Sequence, residues 1–212
     1  SQLIFQQEQL KEENSIRKIA EEGAVSSLAE REVLLSEIHH RVKNNLAVAN
    51  ALMELQLLYL KDEKTIQILK ESQSRVKSIA LLHEKLYENK SLKEVDISSY
   101  TKDLIHFIKQ SLSNKEKEIK IHVYIEKINL EMTKAMPFSL LLNELITNSY
   151  KYAFLKKDSG NIWINISEKN NDYIFEYKDD GPGFEYTAGA ETTSLGINLI
   201  EGFCIQLNGT FD

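Results

Sequence analysis

Apolar residues recur at helical spacing through roughly the first ninety positions, and at strand spacing from Ile119 onward. Between residues 2 and 60 there is no proline and a single glycine, Gly23. Leu3, Leu10, Ile16, Ile19, Leu28, Leu34 and Leu35 follow an imperfect coiled-coil seam with Glu, Gln, Lys and Arg between them. Gly23 and Ser26-Ser27 weaken its middle. The stripe continues as Leu35, Ile38, Val42, Leu46, Ala49 and Met53, which predicts one long helix ending near Leu60. Lys61-Asp62-Glu63-Lys64 reads as a short polar break. A second amphipathic helix follows, with Ile66, Leu69, Val76, Ile79, Ala80, Leu82, Leu86 and Tyr87 inward. One partner helix cannot cover both broad apolar faces of such a hairpin, and dimerisation into a four-helix bundle would.

The texture changes after Asn89-Lys90-Ser91. Residues 97–112 carry a helical pattern (Ile97, Tyr100, Leu104, Phe107, Ile108), and Ile119–Ile125 alternates as a half-buried strand. Pro137 suits the first turn of a helix, which predicts a helix from Pro137 to Phe154. Strands are expected at 161–168 and 173–178, with Asn170-Asn171-Asp172 turning between them. A Gly-rich loop, a flexible stretch from Glu185 to Thr193 and a helix near Leu195–Leu207 complete the pattern, and a further strand is expected to begin at Gly209. Strands with helices on one side give an α+β sandwich.

The chain has 212 residues, two prolines, eight glycines and a net charge of −6. That balance gives no basic footprint for nucleic acid and no electrostatic case for membrane contact within this fragment. Cys204, the single cysteine, excludes an intrachain disulfide, and no Cys/His grouping has zinc-ligand spacing. No run approaches the ~18 apolar residues of a membrane span. The composition suits a reducing cytoplasm, and both ends read as those of an excised fragment whose parent could carry an upstream sensor or membrane segment.

Three groups of residues are candidates for chemistry. On a wheel of roughly 100° per residue, His40 lies about 160° from Val42, opposite the apolar stripe, whereas His39 falls nearer to it. Glu37 and Asn44 flank His40 on the outward face. A packed His39 and a merely decorative His40 are the bland alternatives. In the Pro137–Phe154 helix, Glu144, Asn148, Lys151 and Tyr152 fall at i, i+4, i+7 and i+8, with Phe138, Leu142, Leu145, Ile146 and Ala153 opposite. An ordinary polar face explains this equally. Yet Asn148 offers Mg²⁺ an amide oxygen, Lys151 offers a phosphate positive charge, and Glu144 offers a carboxylate. In Asp179-Asp180-Gly181-Pro182-Gly183-Phe184, Asp179 can accept a hydrogen bond from an exocyclic amine such as that of adenine. Gly181 and Gly183 allow a tight turn and close ligand approach, although such a turn is often only a turn. Ser194-Leu195-Gly196 opens a helix whose N-terminus favours phosphate.

Taken in order, these motifs resemble the sensor histidine kinases, specifically the HWE-like group with a HisKA type 2 dimerisation domain. The likeness runs from Leu34-Leu35-Ser36-Glu37-Ile38-His39-His40-Arg41-Val42-Lys43-Asn44-Asn45-Leu46 through Ser74-Arg75-Val76 and Leu82-His83-Glu84-Lys85-Leu86-Tyr87. It resumes in Leu142–Phe154, the family's N-box, then in Asp179–Phe184, the first glycine box, and in Ser194–Ile200. The resemblance implies a coiled-coil signalling helix (1–33), a dimerising histidine-phosphotransfer hairpin (34–90) and a Bergerat-type ATP-binding α/β sandwich (91–212), truncated at its last strand or strands. It makes His40 the phosphorylated residue and Asn148 the Mg²⁺ position. Glu144 becomes an N-box residue, Lys151 and Tyr152 lie along the nucleotide, Asp179 meets the adenine amine, and Gly181 and Gly183 shape that pocket. Ser194, Leu195 and Gly196 lie by the phosphates.

The implied activity is autophosphorylation of His40 from ATP with Mg²⁺, followed by transfer to an aspartate of a response regulator receiver domain, in a homodimer. The sequence departs from the pattern of familiar histidine kinases at several points. Arg41 stands where a carboxylate commonly follows the histidine, so Glu37 is the candidate base by helical proximity. Glu144 replaces an asparagine, the second glycine box holds only Gly196, and no phenylalanine box is evident. An inactive nucleotide-binding scaffold and a net regulator phosphatase are the alternative functions.

Overall fold

The computed structural model describes residues 2–88, 94–112, 118–170, 172–183 and 195–210. The chain divides into two compact units, Ser1–Val42 and Lys43–Asp212. Helix α1 (Gln2–Tyr59) begins in the first and ends in the second.

The first unit is helical from Gln2 onward. Its surface carries i,i+4 pairs: Arg17 Nε to Glu21 Oε1 at 2.8 Å, Lys18 to Glu22 at 3.9 Å, and Arg41 Nε to Glu37 Oε1 at 2.8 Å. Exposed pairs of this kind each contribute only a few tenths of a kcal/mol. The seam residues Ile16, Ile19, Leu28, Leu34 and Leu35 are exposed. The side chains of Leu3 and Leu10 lie outside the described residues.

In the second unit, Asp62 ends the interhelical turn and caps α2 (Glu63–Glu88). Its Oδ2 accepts hydrogen bonds from the Thr65 N–H at 2.8 Å and the Thr65 hydroxyl at 2.5 Å. The break is therefore shorter than the sequence suggests, because Glu63 and Lys64 already belong to α2. Across the hairpin, Glu54 accepts from Gln73 at 3.1 Å and Lys77 at 3.2 Å, and Lys43 meets Glu84 at 2.6 Å. Toward its C-terminus α2 becomes buried. Leu82 and Leu86 enter one core with Val95, Ile97, Tyr100, Leu104, Leu142 and Ile146. The remaining inward positions of α2 (Ile66, Leu69, Val76, Ile79, Ala80) are half-buried, and the Tyr87 side chain lies outside the described residues.

That core is a layer of helices on a three-stranded sheet. Strands β2 (Glu118–Ile125) and β4 (Ser159–Lys169) run parallel, and β5 (Asp172–Asp179) pairs antiparallel with β4, in the order β2-β4-β5. Ile121 stands opposite Ile162, and Ile164 opposite Tyr177. The strict alternation along β4 buries Gly160, Ile162, Ile164 and Ile166 on the face that meets α3 (Ile97–Leu112) and α4 (Met132–Asn148). Two short strands, β1 (Glu94–Asp96) and β3 (Asn129–Glu131), form a separate antiparallel pair that the sequence pattern did not announce. Within the helical layer the Tyr100 hydroxyl donates to Ser139 Oγ at 2.7 Å, and complete burial pushes its pKa well above the ordinary value. Helix α5 (Leu195–Gln206) packs on α4, with Phe203 buried.

Two expectations need correction. Helix α4 starts at Met132, so Pro137 lies inside it rather than in its first turn. Proline lacks the N–H that would close a bond to the carbonyl four residues earlier, but buried Phe138, Leu142 and Ile146 hold the helix to the core regardless. The helix also does not continue regularly to Phe154. It passes into a π-helical turn, Ser149–Ala153, closed by the Phe154 N–H on the Ser149 carbonyl at 2.9 Å. Residues 209 and 210, where a further strand was expected to begin, have no regular structure, and 211–212, 89–93 and the stretch 185–193 lie outside the described residues.

Leu82→Ala should remove about 2–5 kcal/mol of stability, the usual cost of truncating a fully buried leucine, read as a lower urea midpoint. Asp62 is held below its ordinary carboxyl pKa by the Thr65 hydroxyl and then the Thr65 N–H. A depressed carboxyl stabilises the fold above its unfolded pKa, and that contribution disappears as pH falls through the folded value. Acid titration followed by helical circular dichroism should therefore show a smaller loss attributable to the cap in Asp62→Asn than in the parent chain.

Candidate functional site

In the first unit His40 is exposed and His39 half-buried, the order expected from the helical wheel. Val42 is half-buried, while Leu35 and Ile38 are exposed. Glu37 accepts a hydrogen bond from Arg41 Nε at 2.8 Å. The carboxylate one turn before His40 is thus paired with the guanidinium of the residue that follows it.

The second unit assembles its polar side chains around the end of α4. Glu144 is only 4 % exposed. Its Oε1 accepts from Arg75 Nε at 2.6 Å and its Oε2 from Arg75 Nη2 at 3.0 Å, a two-pronged pairing between α2 and α4. One residue back on each helix, Ser74 Oγ donates to Asn143 Oδ1 at 2.9 Å. One turn back on α2, Glu71 meets Lys151 Nζ at 2.6 Å and lies 4.0 Å from Arg75. Burial works to raise the Glu71 carboxyl pKa, but the Lys151 hydrogen bond, the Gln67 hydrogen bond and the two cations together leave it lowered. The Glu144 hydrogen bond raises Arg75 against the opposing effect of burial. Lys151, Glu71, Arg75 and Glu144 therefore form an alternating run of charge along the α2–α4 contact.

Beyond Asn148 the π-helical turn changes the phase of the chain. Ser149 faces the sheet, where its hydroxyl donates to Asp179 Oδ2 at 2.6 Å and lies 2.8 Å from the Tyr177 hydroxyl. Tyr177 also reaches the Leu145 carbonyl at 3.1 Å, and burial pushes its phenol pKa upward. Asp179 Oδ1 accepts from the Gly181 N–H at 2.9 Å. A Cβ at Gly181 would overlap Ala153 and come within 2.8 Å of that same oxygen. Gly183, at φ +70°, takes a backbone conformation that side chains disfavour. Asp180 anchors the loop from outside by accepting from the Asn161 N–H and side-chain amide, both at 2.9 Å, and these bonds hold its carboxyl below the usual range.

Gly196, in the first turn of α5, closes the other end. A Cβ there would stand 3.4 Å from Asn148 Nδ2, 3.5 Å from Asn148 Oδ1 and 3.8 Å from Glu144 Oε2. The structure thus brings Glu144, Asn148 and Gly196 into one corner. It engages Lys151 with α2 and leaves Tyr152 68 % exposed, so the four residues that share one face of an ideal wheel do not act as a single face. Ser194 and the side chain of Leu195 lie outside the described residues. The Asn148 amide oxygen is a hard donor of the kind Mg²⁺ accepts, and the start of α5 supplies N–H groups of the kind phosphate accepts. Asp179 retains acceptor capacity on both oxygens for an amine. The residues present fit a magnesium nucleotide.

Sequence reasoning missed Glu71, Ser74 and Arg75 as partners of Lys151, Asn143 and Glu144, and Ser149 and Tyr177 as supports of Asp179. Glu71, Ser74, Arg75 and Ser78 stand at i, i+3, i+4 and i+7, a polar stripe within an otherwise apolar face of α2. That stripe was the available signal.

Residues 37–112 match the family model HisKA_2, histidine kinase. The chain is 29 % identical over 176 residues to the sensor histidine kinase PdtaS of Mycolicibacterium smegmatis, covering 82 % of this chain and 35 % of that protein. It is 24 % identical over 180 residues to blue-light-activated histidine kinase 1 of Erythrobacter litoralis, covering 84 % and 48 % respectively. The chain therefore spans between about a third and a half of these curated relatives. In fold it is similar to the solved histidine kinase domain of the Erythrobacter litoralis EL346 blue-light-activated histidine kinase, with a TM-score of 0.58 at 17 % identity over 78 % of this chain and 84 % of that one. Among the described residues no helix is long and apolar enough to cross a membrane. The chain shares with that structure long helices followed by a sheet domain, and it is similar to sensor histidine kinases along a stretch that includes the HisKA_2 match at residues 37–112.

Proposed function

We propose that this chain is the core of a cytoplasmic two-component sensor histidine kinase that phosphorylates its own His40 and passes the phosphoryl group to a response regulator. In this reading residues 1–33 carry signal as a coiled coil, 34–90 form the phosphotransfer hairpin of a homodimer, and 91–212 form a Bergerat-type ATP-binding domain. The observation that supports it best is the corner of Glu144, Asn148 and Gly196 next to the Asp179 loop, on a chain whose His40 is exposed within the HisKA_2 match.

The division of labour follows from side-chain chemistry. Asp179, fixed by Ser149 and Gly181, accepts from the exocyclic amine of adenine and orients the base. Asn148 would hold Mg²⁺ through its amide oxygen, and the ion when bound offsets phosphate charge. The first turn of α5 draws the phosphates to the Gly196 end, while Lys151 is held on α2 by Glu71. The unprotonated ring nitrogen of His40 attacks the γ-phosphorus, the bond to the β,γ-bridging oxygen breaks, and ADP leaves. The proton on the other ring nitrogen is then lost, with Glu37 the nearest carboxylate along α1 to receive it. The phosphoryl acceptor in the second step is a receiver-domain aspartate, whose carboxylate oxygen bonds to phosphorus as the bond from phosphorus to the histidine nitrogen breaks. For that regulator the strip of Ala47, Ala51, Leu55 and Leu58 offers small residues and then exposed leucines.

Incubation with γ-labelled ATP and Mg²⁺ should give acid-labile, alkali-stable label that is lost in His40→Gln and retained in His39→Gln. Label that persists in His40→Gln would refute the assignment, and nucleotide binding without label would favour a scaffold. Asn148→Ala should abolish Mg²⁺-dependent ATP binding, measured by calorimetry with and without the ion. Leu55→Asp with Leu58→Asp should slow phosphoryl transfer to a cognate receiver domain by about tenfold or more, the penalty expected for placing charge in an apolar contact.

A further inference from the structure

We propose that Arg75, on the second helix of the hairpin, is a positioning residue for Glu144 in the phosphoryl-transfer reaction. The proposal rests on the autokinase reading above and names a residue through which α2 acts on the nucleotide site.

Three features support it. Both carboxylate oxygens of Glu144 are taken by the two prongs of one guanidinium, at 2.6 and 3.0 Å, which fixes the plane of the carboxylate as well as its charge. Oε2 of that carboxylate, the oxygen held by Nη2, is the one that faces Gly196 and stands in the corner with Asn148. Arg75 is in turn held on α2 by Glu71, 4.0 Å away, while the Ser74–Asn143 hydrogen bond fixes which residue of α2 lies over which residue of α4. A buried carboxylate deprived of its cation turns toward water. Without Arg75, Glu144 would leave the corner it shares with Asn148 and Gly196, beside the transferred phosphoryl in this reading. Lysine at this position would neutralise the charge but could not fix the plane, because an ammonium donates from a single point.

This geometry separates positioning from simple charge balance or nucleotide binding. In the full chain, Arg75→Ala should lower kcat for His40 labelling by about ten- to a hundredfold, the scale on which misplacing a group at the reacting centre acts. KM for ATP should shift by less than about threefold, since Arg75 acts through Glu144. Arg75→Lys keeps charge and stem and serves where Arg75→Ala fails to fold on thermal melting; its kcat should remain low. In a Glu144→Gln background, Arg75→Ala should cause no further loss beyond about twofold. Additive losses, a rise in KM at unchanged kcat, full activity in Arg75→Lys, or a kcat that increases because the pair is a lock would each overturn the proposal. A wild-type chain that takes no label on His40 would sink the autokinase reading and this inference with it. Any of the former results in a chain that does label bears on Arg75 alone.

Discussion

A carboxylate that leaves water must meet a cation, and this constraint organises the contact between the hairpin and the sheet domain. Glu144 is buried on α4, on the side of the helix that meets α2. Arg75 answers it from α2. That answer works only if α2 is held in one register, and Leu82 and Leu86, two and three turns further on, supply the hold by entering the same core as α3 and α4. Apolar burial supplies the energy of the contact and the ion pair supplies its register. As a result α2 belongs to two structures at once, a helical hairpin at its start and an α+β core at its end.

The Asp179 end is built differently, from short-range devices. Ser149 and the Gly181 N–H take one oxygen each of Asp179, while Asp180 ties the loop back to Asn161 on β4. None of these bonds spans more than neighbouring elements of the sheet and α4. The Asp179 loop is therefore fixed by the folding of the sheet domain itself. The Glu144 corner, in contrast, depends on a helix contributed by the hairpin. The site is rigid at one end and answerable to α2 at the other.

Much of this was legible in the sequence and the remainder failed for identifiable reasons. The long helices, the 97–112 helix and the alternating strands were visible because their periodicity runs over many residues. Strands β1 and β3 are three residues each, too short for alternation to register. Pro137 looked like a helix start because proline is tolerated there, yet tertiary packing carries α4 through it. Glu144 was grouped with a solvated face because a wheel has no knowledge of neighbouring helices; its burial is a property of α2. Arg75 was visible within a motif but had no role until Glu144 was seen opposite it. The wheel through Tyr152 failed because it assumed one helical pitch where the chain uses two.

That change of pitch has a consequence for how the chain tolerates change. A π-helical turn accommodates one more residue than the α-helix around it, so it lets two demands with different periodicities share one continuous segment. Up to Asn148 the side chains are phased to the apolar core; from Ser149 they are phased to Asp179 and Glu71. Substitutions in α4 can be absorbed by repacking, but a change in length cannot. Loss of a single residue between 149 and 153 would relax the turn to a plain helix, leave the core phase intact, and rotate Ser149 and Lys151 away from their partners. The segment is a splice between two rulers, and its information lies in the count of its residues as much as in their identity.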